Sequence, residues 1–421
     1  MRIQQPILRV LASVSFGLLG CGTSASPADG GAIDSGAADV IDVPVAPTDV
    51  PRVDAGSALL LTATLSGRQA VPPAYTTAAT GTVTFTLSPD RTLLSYMVTH
   101  TILLPLSTQL HLGLAGEAGT MLLPMTNSGG LTIGTTGLTS EQARAIVEGR
   151  TYVNITSSSF PMGELRGQIV QPGEAVYTAR LSADQENPPN TLKSSGVAEF
   201  LVDPAARRMR FVVHTRGMTV PPTGAHIHTG AAGTNGAVLI DLAEGGSSLA
   251  TDFLGTRPIT AETVADLEAG RWYVNTHSAA MPAGEIRGQI LRPGERLFLA
   301  RMTGAQEVPP VVTMATGALG VIVGADRDRI TYEGAVTGMT PTSAHLHAGG
   351  VGVIGDVVAP LMMVGGALRG TATLTATGDA GVPLLTGLTA GTVYANVHSM
   401  TNTGGEIRGQ LQPAPALTST P

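Results

Sequence analysis

One hexapeptide occurs three times in this 421-residue chain, and its spacing sets the plan for the whole sequence. Gly163–Gln168 reads Gly-Glu-Leu-Arg-Gly-Gln, and Gly284–Gln289 and Gly405–Gln410 read the same with Ile at the third position. The glutamates are evenly spaced, 285 − 164 = 406 − 285 = 121. Tyr152, Tyr273 and Tyr394 keep the same offset, and Gln69–Pro73, Gln185–Pro189 and Gln306–Pro310 open each copy with Gln-x-x-Pro-Pro. Solenoid repeats run to roughly 20–50 residues, so this period suits a whole domain. Three domains are expected, at residues 58–173, 174–294 and 295–413, with a tail at 414–421. The joints at Pro172-Gly173-Glu174 and Pro293-Gly294-Glu295 are too short to be free linkers, so neighbours should touch.

Inside a repeat the period is two. Val83, Phe85 and Leu87 alternate with threonines, and Met209, Phe211 and Val213 alternate with Arg210, Val212 and His214. That pattern, with Gly and Pro at its edges, argues half-buried antiparallel strands. Gly 53 and Pro 28 are counts that favour many turns over long helices, and 43% hydrophobic residues suffice to fill several cores. Helix signals are few. Thr139 with Gln142 forms a capping-box pattern before Ala143–Glu148, Thr260–Ala269 is its counterpart, and in the third repeat the helix should be shortened or absent. The expected fold is all-β: three tandem β-sandwich domains with Greek-key connections, a partly closed barrel being the alternative.

Residues 1–21 carry an address. Arg2 and Arg9 precede an apolar stretch from Val10 to Leu19, too short to span a bilayer and suited to a secretory leader. It ends in Leu18-Leu19-Gly20-Cys21, which is similar to the bacterial lipobox, whose cysteine is lipidated and becomes the mature N-terminus. An ordinary leader with an incidental cysteine is the competing reading. Cys21 is the only cysteine, so neither an intramolecular disulfide nor a cysteine-based zinc site is expected. Gly22 follows it, not aspartate, which resembles lipoproteins sorted to the outer membrane. Residues 22–57 hold six aspartates against Arg52 and lack aromatic residues, the composition of a disordered tether. The expected location is the cell envelope, with a membrane as partner through the lipid.

The motifs, in this order, resemble the CHRD domain, a module named for chordin and found also in bacterial exported proteins. The resemblance covers roughly residues 58–412. It rests on the Gln-x-x-Pro-Pro opening, a central His-x-His, a Tyr-x-Asn-x-His strand and the closing hexapeptide. The third repeat matches best, with Gln306–Pro310, His345-Leu346-His347, Tyr394–His398 and Gly405–Gln410. The second has His226-Ile227-His228 and Tyr273–His277. The resemblance implies a β-rich binding module; it implies neither an enzyme nor growth-factor binding.

Seven of the nine histidines sit in these motifs. On a strand, side chains at i and i+2 share a face, about 6.5–7 Å apart. His226 and His228 therefore point one way, as do His345 and His347. If the Tyr-x-Asn-x-His strand lies alongside, His277 joins the first pair and His398 the second. Three imidazoles with a free fourth position form a known zinc arrangement, and imidazole also suits copper. The alternative is a polar network of structural histidines beside the Asn. The first repeat departs from the pattern: Gln109 and Thr156 stand where two of its three histidines would be, so a metal site there should be absent or crippled.

Other patterns point to scaffolding. The Gly-x-x-Gly-x-x-Gly runs at Gly113–Gly119, Gly230–Gly236 and Gly349–Gly355 lack the Lys-Ser/Thr pair of a phosphate loop and suggest a tight loop. Strand period places Glu285, Arg287 and Gln289 on one face, read as an ion pair on the polar surface, with Glu285 as fourth ligand the alternative. No basic stripe is present, so nucleic acid is not an expected partner. No catalytic residues stand out. The function expected is a membrane-tethered binding or structural lipoprotein with an unnamed protein or glycan ligand and divalent metal, zinc or copper, as cofactor. The alternatives are a metalloenzyme, since His-x-His on a β-sandwich resembles copper/zinc superoxide dismutase, and a surface adhesin or matrix component.

Overall fold

The computed structural model describes residues 56–125, 131–244, 247–249, 251–374 and 384–414. The leader, Cys21 and most of the acidic segment lie outside the described residues. Each repeat is one continuous antiparallel sheet, of 8, 9 and 10 strands in turn. In the second repeat the path runs Val238–Asp241, Pro222–Thr229, Trp272–Ser278, Ile286–Gln289, Ala175–Ser182, Ser195–Asp203, Arg208–Arg216, Asp252–Pro258 and Ser247–Leu249. The sheet curls over one apolar core to which both ends of that path contribute, among them Ile227, Phe200, Phe253 and the fully buried Trp272. The all-β expectation holds, in its curled, partly closed form.

Local chemistry accounts for the elements. Thr139 caps the helix Ser140–Val147 and Thr260 caps Ala261–Glu268, each through a complete capping box. In the third repeat the helix is Leu384–Ala390. The glutamine of each Gln-x-x-Pro-Pro motif folds the turn back on its own strand: Gln69, Gln185 and Gln306 donate to the Thr64, Arg180 and Arg301 carbonyls at 2.8, 2.6 and 2.7 Å.

Two strands of the second repeat depart from half-burial. Ser195–Asp203 is buried on both faces, and in Arg208–Arg216 the outward-facing Arg210 and Val212 are buried too. The cover is the first repeat. The Ala115 amide donates to Glu199 at 2.6 Å, and Arg210 grips Glu174 in the joint with two hydrogen bonds of 2.7 and 2.6 Å while donating to the Val147 carbonyl. The repeats therefore touch through specific polar contacts.

Glu199 makes that joint sensitive to pH. Burial pushes its carboxyl up to about 8, against the Ala115 amide and the nearby Arg210 and Arg166, which favour the charged form. A carboxyl raised in the folded state stabilises below its unfolded value near 4.5 and loses that contribution as the pH climbs towards 8. The slope is about 1.4 kcal/mol per pH unit at most. Glu199→Gln keeps an oxygen acceptor for Ala115 and removes the titration. In urea melts between these limits, wild-type stability should fall relative to the variant as pH rises; parallel curves would contradict the assignment.

Candidate metal centres

Strand register brings the histidines together. His226 lies opposite Asn275 and His228 opposite Tyr273, while a bulge between Pro222 and Gly224 sets Gly224 opposite His277. The third repeat repeats this with His345 opposite Asn396, His347 opposite Tyr394 and Ser343 opposite His398. Residues opposite one another in an antiparallel pair share a face. Each triplet thus converges on one side of two neighbouring strands. The ligand-capable atoms of His226, His228 and His277 all lie within 4.8 Å of one another, and so do those of His345, His347 and His398.

The ring orientations suit a cation. His228 Nδ1 lies 3.0 Å from the Gly236 carbonyl and His277 Nδ1 3.0 Å from that of Pro282; His347 and His398 face the Gly355 and Thr403 carbonyls at 2.9 and 3.0 Å. A carbonyl only accepts, so each Nδ1 carries the hydrogen and each Nε2 is left with a lone pair. Nε2 of His228 and of His347 is buried without a hydrogen-bond partner. Nε2 of His277 sits 2.9 Å from His226 Nδ1, and Nε2 of His398 sits 3.1 Å from His345 Nδ1. Burial, with the neighbouring histidines adding to it, lowers the pKa of His228, His277, His345 and His347 and holds them in the neutral form that a metal requires. Metal-bound imidazoles characteristically give their other N–H to a carbonyl or carboxylate. The donor set therefore fits zinc or another late first-row divalent ion, three imidazole nitrogens being one short of the usual four ligands.

The glycine loop and the hexapeptide hold this arrangement in place. The Tyr273 hydroxyl accepts from the Gly236 amide at 3.1 Å, so Gly236 is fixed at both ends, amide to Tyr273 and carbonyl to His228. The His228 ring stacks on Tyr273 at 4.9 Å, and Arg287 covers the other face of the tyrosine at 3.4 Å from its centroid. Arg287 and Gln289 reach the loop carbonyls of Ala231 and Gly230 at 3.1 and 2.9 Å. Gly236 has no room for a side chain, since a Cβ there would fall 1.4 Å from the Thr229 oxygen. Gly236→Ala must shift the loop and with it the His228 carbonyl partner. A loss of about 10–100-fold in zinc affinity at the second-repeat site is expected, the usual effect of disturbing such a partner. Unchanged affinity in a dialysis titration would show that the loop does not set the ring.

The first repeat keeps the scaffold and loses the site. His111 Nδ1 still faces the Gly119 carbonyl at 3.1 Å, Tyr152 still stacks on it, and Arg166 still covers Tyr152. Its Nε2, however, lies 3.0 Å from Gln109 Oε1, and Thr156 bonds Ser107 at 2.8 Å. With Nδ1 giving its hydrogen to the Gly119 carbonyl, Nε2 of a neutral ring can only accept, which requires the Gln109 amide to be turned end for end from this placement so that its NH₂ donates. The Gln109 side chain thus occupies the position that the other repeats leave open.

The hexapeptide requires a correction. Glu285, Arg287 and Gln289 are all buried, and Glu285 does not pair with Arg287. Burial raises the Glu285 carboxyl, but hydrogen bonds from Ser194, Ser278 and Thr219 outweigh it and hold the pKa below its ordinary value. Period two identifies a shared face but not its cover, and here the turns at Ser194 and Thr219 close over the carboxylate. Its oxygens are committed to those donors, which leaves the structural role. Two further residues escaped the reading of the sequence. Glu186 accepts from Asn275 at 2.9 and 3.0 Å, and burial pushes its carboxyl up to about 7, with Arg287 and Asn275 opposing; burial takes Glu307 to about 7 in the third repeat. Their signal was available: Gln-Glu-x-Pro-Pro occurs in the two repeats that carry the full triplet, and Ala70 replaces the glutamate in the repeat that does not.

Three curled antiparallel domains, two with a convergent histidine triplet and all with a Tyr–Arg stack behind it, define a class of tandem β modules. The CHRD domain matches residues 61–169, 177–290 and 298–411, and the chain belongs to that family. A similar protein is chordin from Danio rerio, 34% identical over 154 residues, which is 33% of this chain and 16% of chordin. The chain thus spans about a sixth of that relative's length. Among the described residues, no helix is long and apolar enough to cross a membrane.

Proposed function

We propose that this chain is a membrane-tethered, extracytoplasmic CHRD protein that binds two divalent late first-row metal ions, zinc or copper, one in each of its last two repeats. His226, His228 and His277 hold one ion, and His345, His347 and His398 the other. The observation that carries the reading is the buried, unpartnered Nε2 of His228 and His347, each aimed by a carbonyl on Nδ1 towards two further imidazoles. An isolated buried polar atom costs about 1–3 kcal/mol, a cost that coordination removes. The tether is Cys21, supported by the lipobox-like Leu18–Cys21 and the acidic spacer behind it.

Two measurements test this. Elemental analysis of the full chain, purified without chelator or added metal, should find close to two equivalents of one transition metal; absence of metal, or a non-integral mixture that dialysis removes, would count against it. Cys21→Ser should move the chain from the membrane fraction to the soluble fraction or block its processing. Unchanged fractionation and migration would remove the tether from the account.

A further inference from the structure

The same loop meets the same surface twice within the chain. Leu114 and Ala115, between Gly113 and Gly119, are 5% and 4% exposed; Leu114 packs on Val197 and Val212 beside Leu254, and the Ala115 amide donates to Glu199. One repeat later, Ala231 and Ala232 are 7% and 6% exposed, and a Cβ placed on Gly320 would come within 2.7 Å of that of Ala232. Glu199 and Gly320 are equivalent positions, four residues into strands that start their pairing at Ser195 with Ser182 and at Thr316 with Thr303.

The third loop, Gly349–Gly355, makes no such contact. Val351, in the position of Ala115 and Ala232, is 80% exposed, Ile354 is 70% exposed, and no atom lies within 4 Å of a Cβ built on Gly352. The matching surface is open at the other end of the chain. In the second repeat Glu199 pairs with Val212, which pairs with Leu254; in the first repeat the same row is Thr84, Met97 and Ile133. Met97 is 46% and Ile133 64% exposed. The four strands of that face, Leu59–Ser66, Thr80–Leu87, Leu93–His100 and Leu131–Gly137, contain no Asp, Glu, Lys or Arg.

The geometry points to a second copy of this chain as the occupant: the third-repeat loop of one copy docks on the first-repeat sheet of the next, extending between chains the interface that joins repeats within one. The two surfaces suit each other. Both are uncharged, so their contact buries no unpaired ion. Both leave apolar side chains in water that the inner repeats cover. The Thr84 hydroxyl can accept from the Val351 amide as Glu199 accepts from Ala115. The contact joins two different patches, so it is heterologous and adds copies head to tail.

Sedimentation velocity of the full chain in nonionic detergent tests this. The wild type should grow with concentration in steps of one chain mass. Val351→Asp, which spoils the loop, and Ile133→Asp, which spoils the sheet, should each stay monomeric, with unchanged circular dichroism. Mixed in equal amounts they should form dimers and stop there, because each mixture retains one intact loop and one intact sheet per pair. A wild type that stays monomeric, variants that associate like the wild type, or variants that fail to complement on mixing would each overturn the inference.

Discussion

Replacing His228 by alanine should reduce the zinc capacity of the chain from two ions to one and leave the third-repeat site unaffected. His228 supplies the one nitrogen of its triplet that is both buried and free of any partner, and its ring direction is fixed independently by Gly236 and Tyr273. The remaining pair, His226 and His277, can satisfy each other across 2.9 Å and has less reason to hold an ion. Equilibrium dialysis followed by elemental analysis reads the stoichiometry directly. Stability should follow by mass action: an ion at 100 times its dissociation constant adds about 2.7 kcal/mol to the fold that binds it. The zinc-induced rise in second-repeat stability should vanish in the variant while the third-repeat rise persists. Two ions still bound to His228→Ala would mean that the triplet is not the site.

The converse change should create a site. Gln109→His with Thr156→His restores the triplet in the first repeat and should raise the capacity from two ions to three. The support is already present. His111 is directed by the Gly119 carbonyl, Tyr152 stacks on it, and Gln109 and Thr156 occupy the register positions of His226 and His277 opposite Asn154 and Ser107. Pro161 precedes Gly163 as Pro282 precedes Gly284, so a carbonyl stands in the same place for the new ring at 156. Neither substitution alone should suffice, because each leaves a two-nitrogen set. A capacity of two in the double variant would show that the first repeat differs in backbone spacing as well as in side chains.

Much of this was legible in the sequence because strand geometry is regular. The period of two placed His226 with His228, and the same rule placed His277 with Asn275, so that only the adjacency of two strands remained to be supplied; the register supplies it. The exact offset between copies fixed three domains. What escaped the sequence was anything set by a loop folding over a strand. Gly236 lies eight residues beyond His228, and nothing in a one-dimensional pattern says that its carbonyl returns to that ring. Glu186 reaches Asn275 across 89 positions. The double-sided burial of Ser195–Asp203 arises from a neighbouring repeat, and its Glu199 looked like any outward-facing strand residue. Glu285 was assigned to a surface for the same reason: alternation tells which residues share a face, and only tertiary packing tells whether water reaches it.

The central claim is that two repeats carry a three-imidazole centre and one does not. Calorimetric titration of the full chain with zinc tests it most directly, performed at about pH 7.5 and about pH 5.5, on either side of the ordinary imidazole value of ~6.5. At the higher pH, two equivalents should bind with little proton release, because burial already holds these rings neutral. At the lower pH, binding should weaken and release more protons, since rings that have become protonated must give their protons up to coordinate. Saturation at two, abolished by His228→Ala together with His347→Ala, is the predicted result. Saturation at none, or at three with the first repeat unaltered, would contradict the account.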